Sequence, residues 1–255
     1  MRLTAEHQVF HCNFLALSVG LDDKSVDHSI IDTPYEQHTQ EHQRRGHSRK
    51  VSKARPLDFA HLTPEDRRKY AIETVRITKR WAIAFTDHDG YAGWKRDLLD
   101  AGATRVQQLV WVRGTQDIVG DEKVLRGNKG APQFNGEHPA AGHEVMALAH
   151  CGRGRSRWNG RGARRDGTGG LTGGGSVYYA DIETLGRSHI TQKPVDLLRQ
   201  LVREYTDPGD LVMDGFCGSG TTFLAAKIED RRSVGCDIDL RHAAASARRV
   251  GVILR

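Results

Sequence analysis

Apolar residues recur along this chain in short dense runs: QVFHC (8–12), HSIID (28–32), RWAIAFTD (80–87), VQQLVWV (106–112), HEVMALAH (143–150), DLVMDGF (210–216) and RSVGCDI (232–238). Each is β-rich and of strand length. Helical periodicity falls between several of them, at 64–80, 194–206, 221–230 and 240–250. Strands alternating with helices of this length predict one doubly wound, mostly parallel α/β sheet of seven strands, within a single domain spanning 1–255.

Two stretches break the pattern. Residues 36–63 are basic, rich in histidine and poor in apolar residues. Residues 151–176 combine glycine with arginine around one tryptophan. A compact domain does not need loops this long, so they carry function or lie outside the core. Glycine and arginine without periodicity is the composition of a segment that orders on a polyanion; a solvated linker is the bland alternative.

Composition narrows the class. The chain has 255 residues, 38% hydrophobic, a formal charge of +6 and a pI of about 9.2. That excess is compatible with nucleic acid without requiring it. No apolar run reaches about 18 residues, and the start MRLTAEHQVFHC lacks the basic-then-apolar pattern of a signal peptide. A soluble, cytoplasmic protein with no membrane contact is expected. Cys12, Cys151, Cys217 and Cys236 are scattered with no CxxC pair, so reduced thiols are expected. Histidine spacings such as His38/His42 and His138/His143 are too loose for a metal site, and none is expected.

The densest chemistry lies in LVMDGFCGSGTTFLAA, residues 211–226. A strand runs into Asp214, Phe216, Gly218 and Gly220, and a helix opens at Thr221. Glycines at such a turn let a ligand approach backbone N–H groups at a helix start. The dinucleotide fingerprint needs a further glycine where Phe223 stands, and a phosphate loop needs a lysine that is missing before Thr221. About twenty residues on, GCDID ends the next strand, and Asp237 is placed to accept ribose hydroxyls. Together these parts describe a pocket for a nucleoside without phosphate.

DGFCGSGTT, with TQKP upstream (191–194), GCDID downstream and DTPY (32–35) near the N-terminus, resembles the S-adenosylmethionine-dependent DNA amino-methyltransferases. These modify N6 of adenine or N4 of cytosine. The order, catalytic tetrad first and cofactor motifs last, is similar to the permuted β class, and the resemblance runs from about residue 8 to 250. It implies a Rossmann-like methyltransferase sheet with an inserted recognition region. It implies S-adenosyl-L-methionine as cofactor, with Asp214, Phe216, Gly218 and Gly220 lining its methionine side. Thr221 and Thr222 would open the helix beside its carboxylate, and Asp237 would hold the ribose. Gln192, Lys193 and Pro194 match the segment that starts a helix beside the methionine moiety. The bland alternatives are a strand-end acid, a core ring and a helix cap.

The same resemblance gives the tetrad Asp32, Thr33, Pro34 and Tyr35 its chemistry. An exocyclic amine conjugated to a base is a poor nucleophile, and two acceptors aimed at its hydrogens favour the pyramidal nitrogen that can attack a methyl sulfonium. The Asp32 carboxylate and the carbonyl of residue 33 are those acceptors. Pro34 stiffens the bend, and Tyr35 offers a face for a flipped-out base. Two departures stand out: HCN (11–13) where the family has Gly-Asp, and Thr33 where it has proline. Asp at the first position leans toward adenine.

Residues 36–63 would then be an active-site loop over double-stranded DNA, and 113–190 a target-recognition region. In it Arg153, Arg155, Arg157, Arg161, Arg164 and Arg165 would meet phosphates, with Trp158 as a wedge or stacking surface. Nothing resembles a fused nuclease, which suggests a solitary or phage-type enzyme in a bacterial or phage-infected cell; a homodimer is compatible with the chain. The alternatives are N4-cytosine methylation, a catalytically weak DNA binder that keeps the fold, or transfer to RNA or to a protein glutamine.

Overall fold

The computed structural model describes residues 5–34, 62–119, 122–126, 142–159, 164–165, 171–172, 175–181 and 192–255. Eight strands form the main sheet: β1 (His7–His11), β2 (Val26–Ile31), β3 (Thr78–Thr86), β4 (Arg105–Arg113), β7 (His143–His150), β10 (Val177–Ala180), β11 (Leu211–Asp214) and β12 (Arg232–Asp237). Two short antiparallel pairs stand apart, β5 (Thr115–Val119) with β6 (Glu122–Arg126), and β8 (Arg164–Arg165) with β9 (Leu171–Thr172). The order across the main sheet is β1-β12-β11-β2-β3-β7-β4-β10. Every pairing is parallel except the two made by β7.

All seven strands read from the sequence lie in this sheet; β10 is the addition. Within the stretch 113–190, β7 and β10 return to the sheet. They do so to bury Met146, Leu148, Tyr178 and Ala180 in the largest apolar cluster.

Among the described residues, six helices cover the two faces. The first three are α1 (Phe14–Val19), α2 (Pro64–Ile77) and α3 (His88–Asp100), followed by α4 (Val195–Tyr205), α5 (Thr221–Ile228) and α6 (Leu240–Val250). Strand β3 shows how sequence alternation divides them. Trp81, Ile83 and Phe85 pack with Leu197, Leu198, Leu201 and Val202 of α4. Ala82 and Ala84, on the opposite face, leave room for Ala71 and Val75 of α2 and Trp94 and Leu98 of α3. Period-two alternation thus puts bulk on one side and space on the other.

The helical pattern over 64–80 ends early because Thr78 already belongs to β3. Thr63 caps α2, accepting from Asp66 N at 3.1 Å, and Pro64 occupies its first turn. The sequence reading lacked α3, whose DHDGYAGWKRDLLD contains two glycines. Gly93 is there because the Arg67 guanidinium lies against it: an added Cβ would sit 2.4 Å from Arg67 Cζ. Arg67 in turn pairs with buried Asp97 at 2.8 Å, so this glycine admits an ion pair between α2 and α3.

The connections set the functional edge. From β2 the chain moves through α2 to β3 on one side; from β11 it moves through α5 to β12 on the other. The boundary between β2 and β11 is therefore a topological switch point, where the ends of parallel strands open a crevice. Asp32 follows β2 and Asp214 ends β11, so both candidate acids flank that crevice.

Candidate active site at the switch point

Three carboxylates lie at successive strand ends, Asp237 on β12, Asp214 on β11 and Asp32 after β2. Asp214 is fully buried. It accepts from Phe216 N at 3.0 Å and from the Thr222 hydroxyl. Burial pushes its carboxyl up to about 7; those two hydrogen bonds oppose the rise, while Asp32 and Asp237 add to it. An edge with this much negative charge suits a cationic ligand.

The glycine turn is tied to its neighbours. Gly218 and Gly220 have φ of +48° and +79°. At Gly220 an added Cβ would also lie 2.8 Å from Ser246 Cα on α6, so both the backbone angle and the space demand glycine. Gly218 donates its N–H to Asp237 Oδ2 at 2.8 Å, and Asp239 N donates to Oδ1 at 2.9 Å. Ser246 Oγ donates to Gly218 O at 2.8 Å. Helix α5 starts at Gly220 with no side-chain cap, which leaves its first N–H groups to a ligand or water. These features fit a nucleoside-containing cation with a carboxylate. Asp237 has acceptor capacity beyond two N–H groups, Asp214 supplies negative charge, and the helix start suits an anion.

Phe216 is half-buried. It packs edge-on to Tyr70 at 5.0 Å and tilted to Phe14 at 5.7 Å, so it joins the turn to α1 and α2. The Thr221 hydroxyl lies 3.3 Å from Arg249 Nη1. The unusual HCN has structural uses: Asn13 accepts from Ala16 N at 2.8 Å as the cap of α1, and His11 Nε2 lies 3.2 Å from Ile238 O.

In the tetrad, Thr33 is buried and its Oγ1 has no hydrogen-bond partner among the described residues. Pro34 is half-buried; Tyr35 lies outside the described residues. The Asp32 carboxylate meets a partner that the sequence did not reveal. Lys193 Nζ donates to both of its oxygens at 2.9 Å. The Lys193 ammonium thus pairs with the tetrad carboxylate. Gln192 beside it is half-buried, and buried Pro194 begins α4 with φ of −61°. Glu144 and Arg113, also absent from the sequence reading, complete the cluster. Only their positions at the roots of β7 and β4 could have marked them.

The arginine-rich segment lies elsewhere. Cys151 N donates to Arg80 O at the start of β3, and Asn159 N to Glu204 O near the end of α4. Residues 151–159 thus lie along the sheet edge opposite Asp32. Arg153 and Arg155 are exposed there; Arg157 reaches Asp207 at 3.5 Å. Trp158 packs partly buried against the main cluster and donates Nε1 to Glu204 at 3.3 Å. The ring of Trp158, expected as a wedge or stacking surface, lies against the apolar core here. Arg161 lies outside the described residues, and for Arg164 and Arg165 only the strand backbone is described. Among the described residues no helix is long and apolar enough to cross a membrane.

Residues 164–248 match the family described as DNA methylase, N6_N4_Mtase. The match covers a third of the chain, at its C-terminal end. It is 43% identical over 60 residues to Type II methyltransferase M1.MboII of Moraxella bovis, covering 24% of this chain and 23% of that protein. It is 30% identical over 120 residues to Type II methyltransferase M.XycI of Xanthomonas campestris pv. cyanopsidis, covering 47% and 40%. The matches thus span less than half the length of these relatives. Among solved structures, M1.HpyAVI with SAM aligns over 96% of this chain and 100% of that chain, at 18% identity and a TM-score of 0.64. The cytosine-N4-specific PvuII DNA methyltransferase aligns over 96% and 86%, at 13% identity and 0.67. At these identities the structures speak for the fold alone, a Rossmann-like α/β sheet.

Proposed function

We propose that this protein is a DNA methylase that transfers a methyl group from S-adenosyl-L-methionine to the exocyclic amine of a flipped-out DNA base, N6 of adenine. The observation that carries the reading is the placement of Asp32 at the switch point, one strand from the Asp214 glycine turn. An acceptor for an amine and a pocket for a nucleoside cation thereby share one crevice.

The cofactor, when bound, supplies an electrophilic methyl group on a sulfonium. Asp214 would hold its methionine ammonium, Asp237 its ribose hydroxyls, and the N–H groups opening α5 its carboxylate. Gly218 and Gly220 keep that surface clear of side chains. Asp32 accepts from the target amine, and the carbonyl of Thr33 offers the second acceptor. Both draw the nitrogen toward the pyramidal form whose lone pair can react. Neither step uses the Thr33 hydroxyl, so threonine can stand where the family has proline. Double-stranded DNA is the proposed partner, reached through residues 36–63 and the stretch after β4.

Mapping modified bases in DNA from cells that express the protein tests this reading. N6-methyladenine at a recurrent sequence is expected. N4-methylcytosine would reassign the base, and unmodified DNA would overturn the proposal.

A further inference from the structure

The ion pair at Asp32 continues beyond Lys193. Lys193 Nζ lies 3.5 Å from Glu144 Oε2, and Arg113 Nη2 donates to Glu144 Oε1 at 2.6 Å. Charges therefore alternate from Asp32 through Lys193 and Glu144 to Arg113, across the ends of β2, β7 and β4. The Lys193 side chain is only 9% exposed, and its Nζ stands 5.1 Å over the Phe85 ring. A buried ammonium is costly unless carboxylates and hydrogen bonds replace its water, and this one has two carboxylates. Its stem is anchored as well: Pro194 follows, and α4 buries Leu197, Leu198 and Leu201 in the core. Asp32, by contrast, stands just past the last paired residue of β2, Ile31 opposite Ala84, so the sheet ladder does not fix its side chain.

We propose that Lys193 is a positioning residue for methyl transfer: it fixes the plane of the Asp32 carboxylate, and Glu144 holds the ammonium in place. This rests on the proposed function and extends it. A carboxylate has about four lone-pair sites, so a lysine touching each oxygen once and a donating amine can share it. Fixing the plane matters because an acceptor aimed at an amine acts through direction, and a misplacement of about 1 Å can cost 10²-fold in rate. Glu144 adds a second consequence. Arg113 closes β4 and Glu144 opens β7, so both roots of the intervening stretch, 114–142, are tied to the catalytic carboxylate.

The test compares full-length wild type with Lys193→Met, Lys193→Arg and Glu144→Gln. It measures single-turnover transfer from labelled cofactor to mixed-sequence DNA, and cofactor affinity by calorimetry. Lys193→Met should lose on the order of 10²-fold in the rate at saturating cofactor, with cofactor affinity unchanged. Lys193→Arg should recover most of that rate, and Glu144→Gln should show a smaller loss in the same parameter. Melting of Asp32→Asn, Lys193→Met and the double variant gives a readout that needs no activity: the two changes should be non-additive. An active wild type whose Lys193→Met variant keeps its rate but binds cofactor weakly would overturn the inference and return Lys193 to the cofactor site. Additive melting would overturn the pair itself. A wild type that transfers no methyl group would overturn the proposed function, while the melting cycle would still report the pair.

Discussion

Gly218 donates its backbone N–H to Asp237 at 2.8 Å, binding the glycine turn after β11 to the end of β12. The acid proposed to hold the ribose therefore also shapes the turn beneath the ligand. Asp237→Ala should weaken cofactor binding by more than one charge-assisted hydrogen bond of about 1.5–3 kcal/mol, because the turn loses its acceptor too. Asp237→Asn keeps an acceptor and should fall between. Calorimetry showing equal affinity in all three proteins would remove Asp237 from the site.

Asp214 sets a pH dependence. Burial raises its folded pKa to about 7, above the ordinary carboxyl value of 3.8. Its protonated form therefore favours the folded state: that contribution is complete below about 4 and is lost as pH rises through 7. Asp214→Asn should stabilise the ligand-free protein by a few kcal/mol at pH 8 and much less at pH 4. Cofactor affinity in the wild type should rise from pH 6 to 8 as the carboxylate forms, and the variant should lose that rise. Thermal melts and calorimetry across this range check both; a flat wild-type profile would show that Asp214 does not meet the cation.

The Thr33 hydroxyl is buried without a partner among the described residues. Thr33→Val keeps the shape and removes the unsatisfied group, so it should be neutral or stabilising by about 1 kcal/mol and leave methyl transfer intact. Thr33→Pro should also retain activity. Loss of turnover in Thr33→Val with the fold preserved would make the hydroxyl a participant and contradict the backbone role.

The segment 151–159 stands at the edge away from Asp32, which divides its residues by role. Trp158→Ala should cost roughly 2 kcal/mol or more in a melt, since its ring packs on the main cluster. Arg153→Ala with Arg155→Ala should leave the salt dependence of DNA binding unchanged. A slope flattened by about 0.9 per residue replaced would instead make them phosphate contacts.

Much of this was legible in the chain, for local reasons. The strands announced themselves as apolar runs, and D-x-F-x-G-x-G needs its turn whatever surrounds it. Helix α3 was hidden because Gly93 answers to Arg67, a partner 26 positions away. Strand β10 is only four residues long, and its Tyr178 hydroxyl bonds to Glu204 and Tyr205 of α4, which no periodicity foretells. The packing of Trp158 on the main cluster was not legible either, because composition cannot say which edge of the sheet receives it. Lys193 belongs to a motif that could be read, but its partner Asp32 lies 161 residues earlier. Only the switch-point topology brings them together.

The central claim is that Asp32 acts on a target amine beside a separate cofactor pocket. The direct measurement is transfer of label from methyl-labelled S-adenosyl-L-methionine to DNA, resolved by nucleoside, for wild type and Asp32→Ala. Cofactor affinity of both proteins is measured in parallel. Wild type should label adenine, and Asp32→Ala should bind cofactor as tightly yet transfer slower by on the order of 10²-fold or more. Transfer at the wild-type rate by Asp32→Ala, or none by wild type, would contradict it.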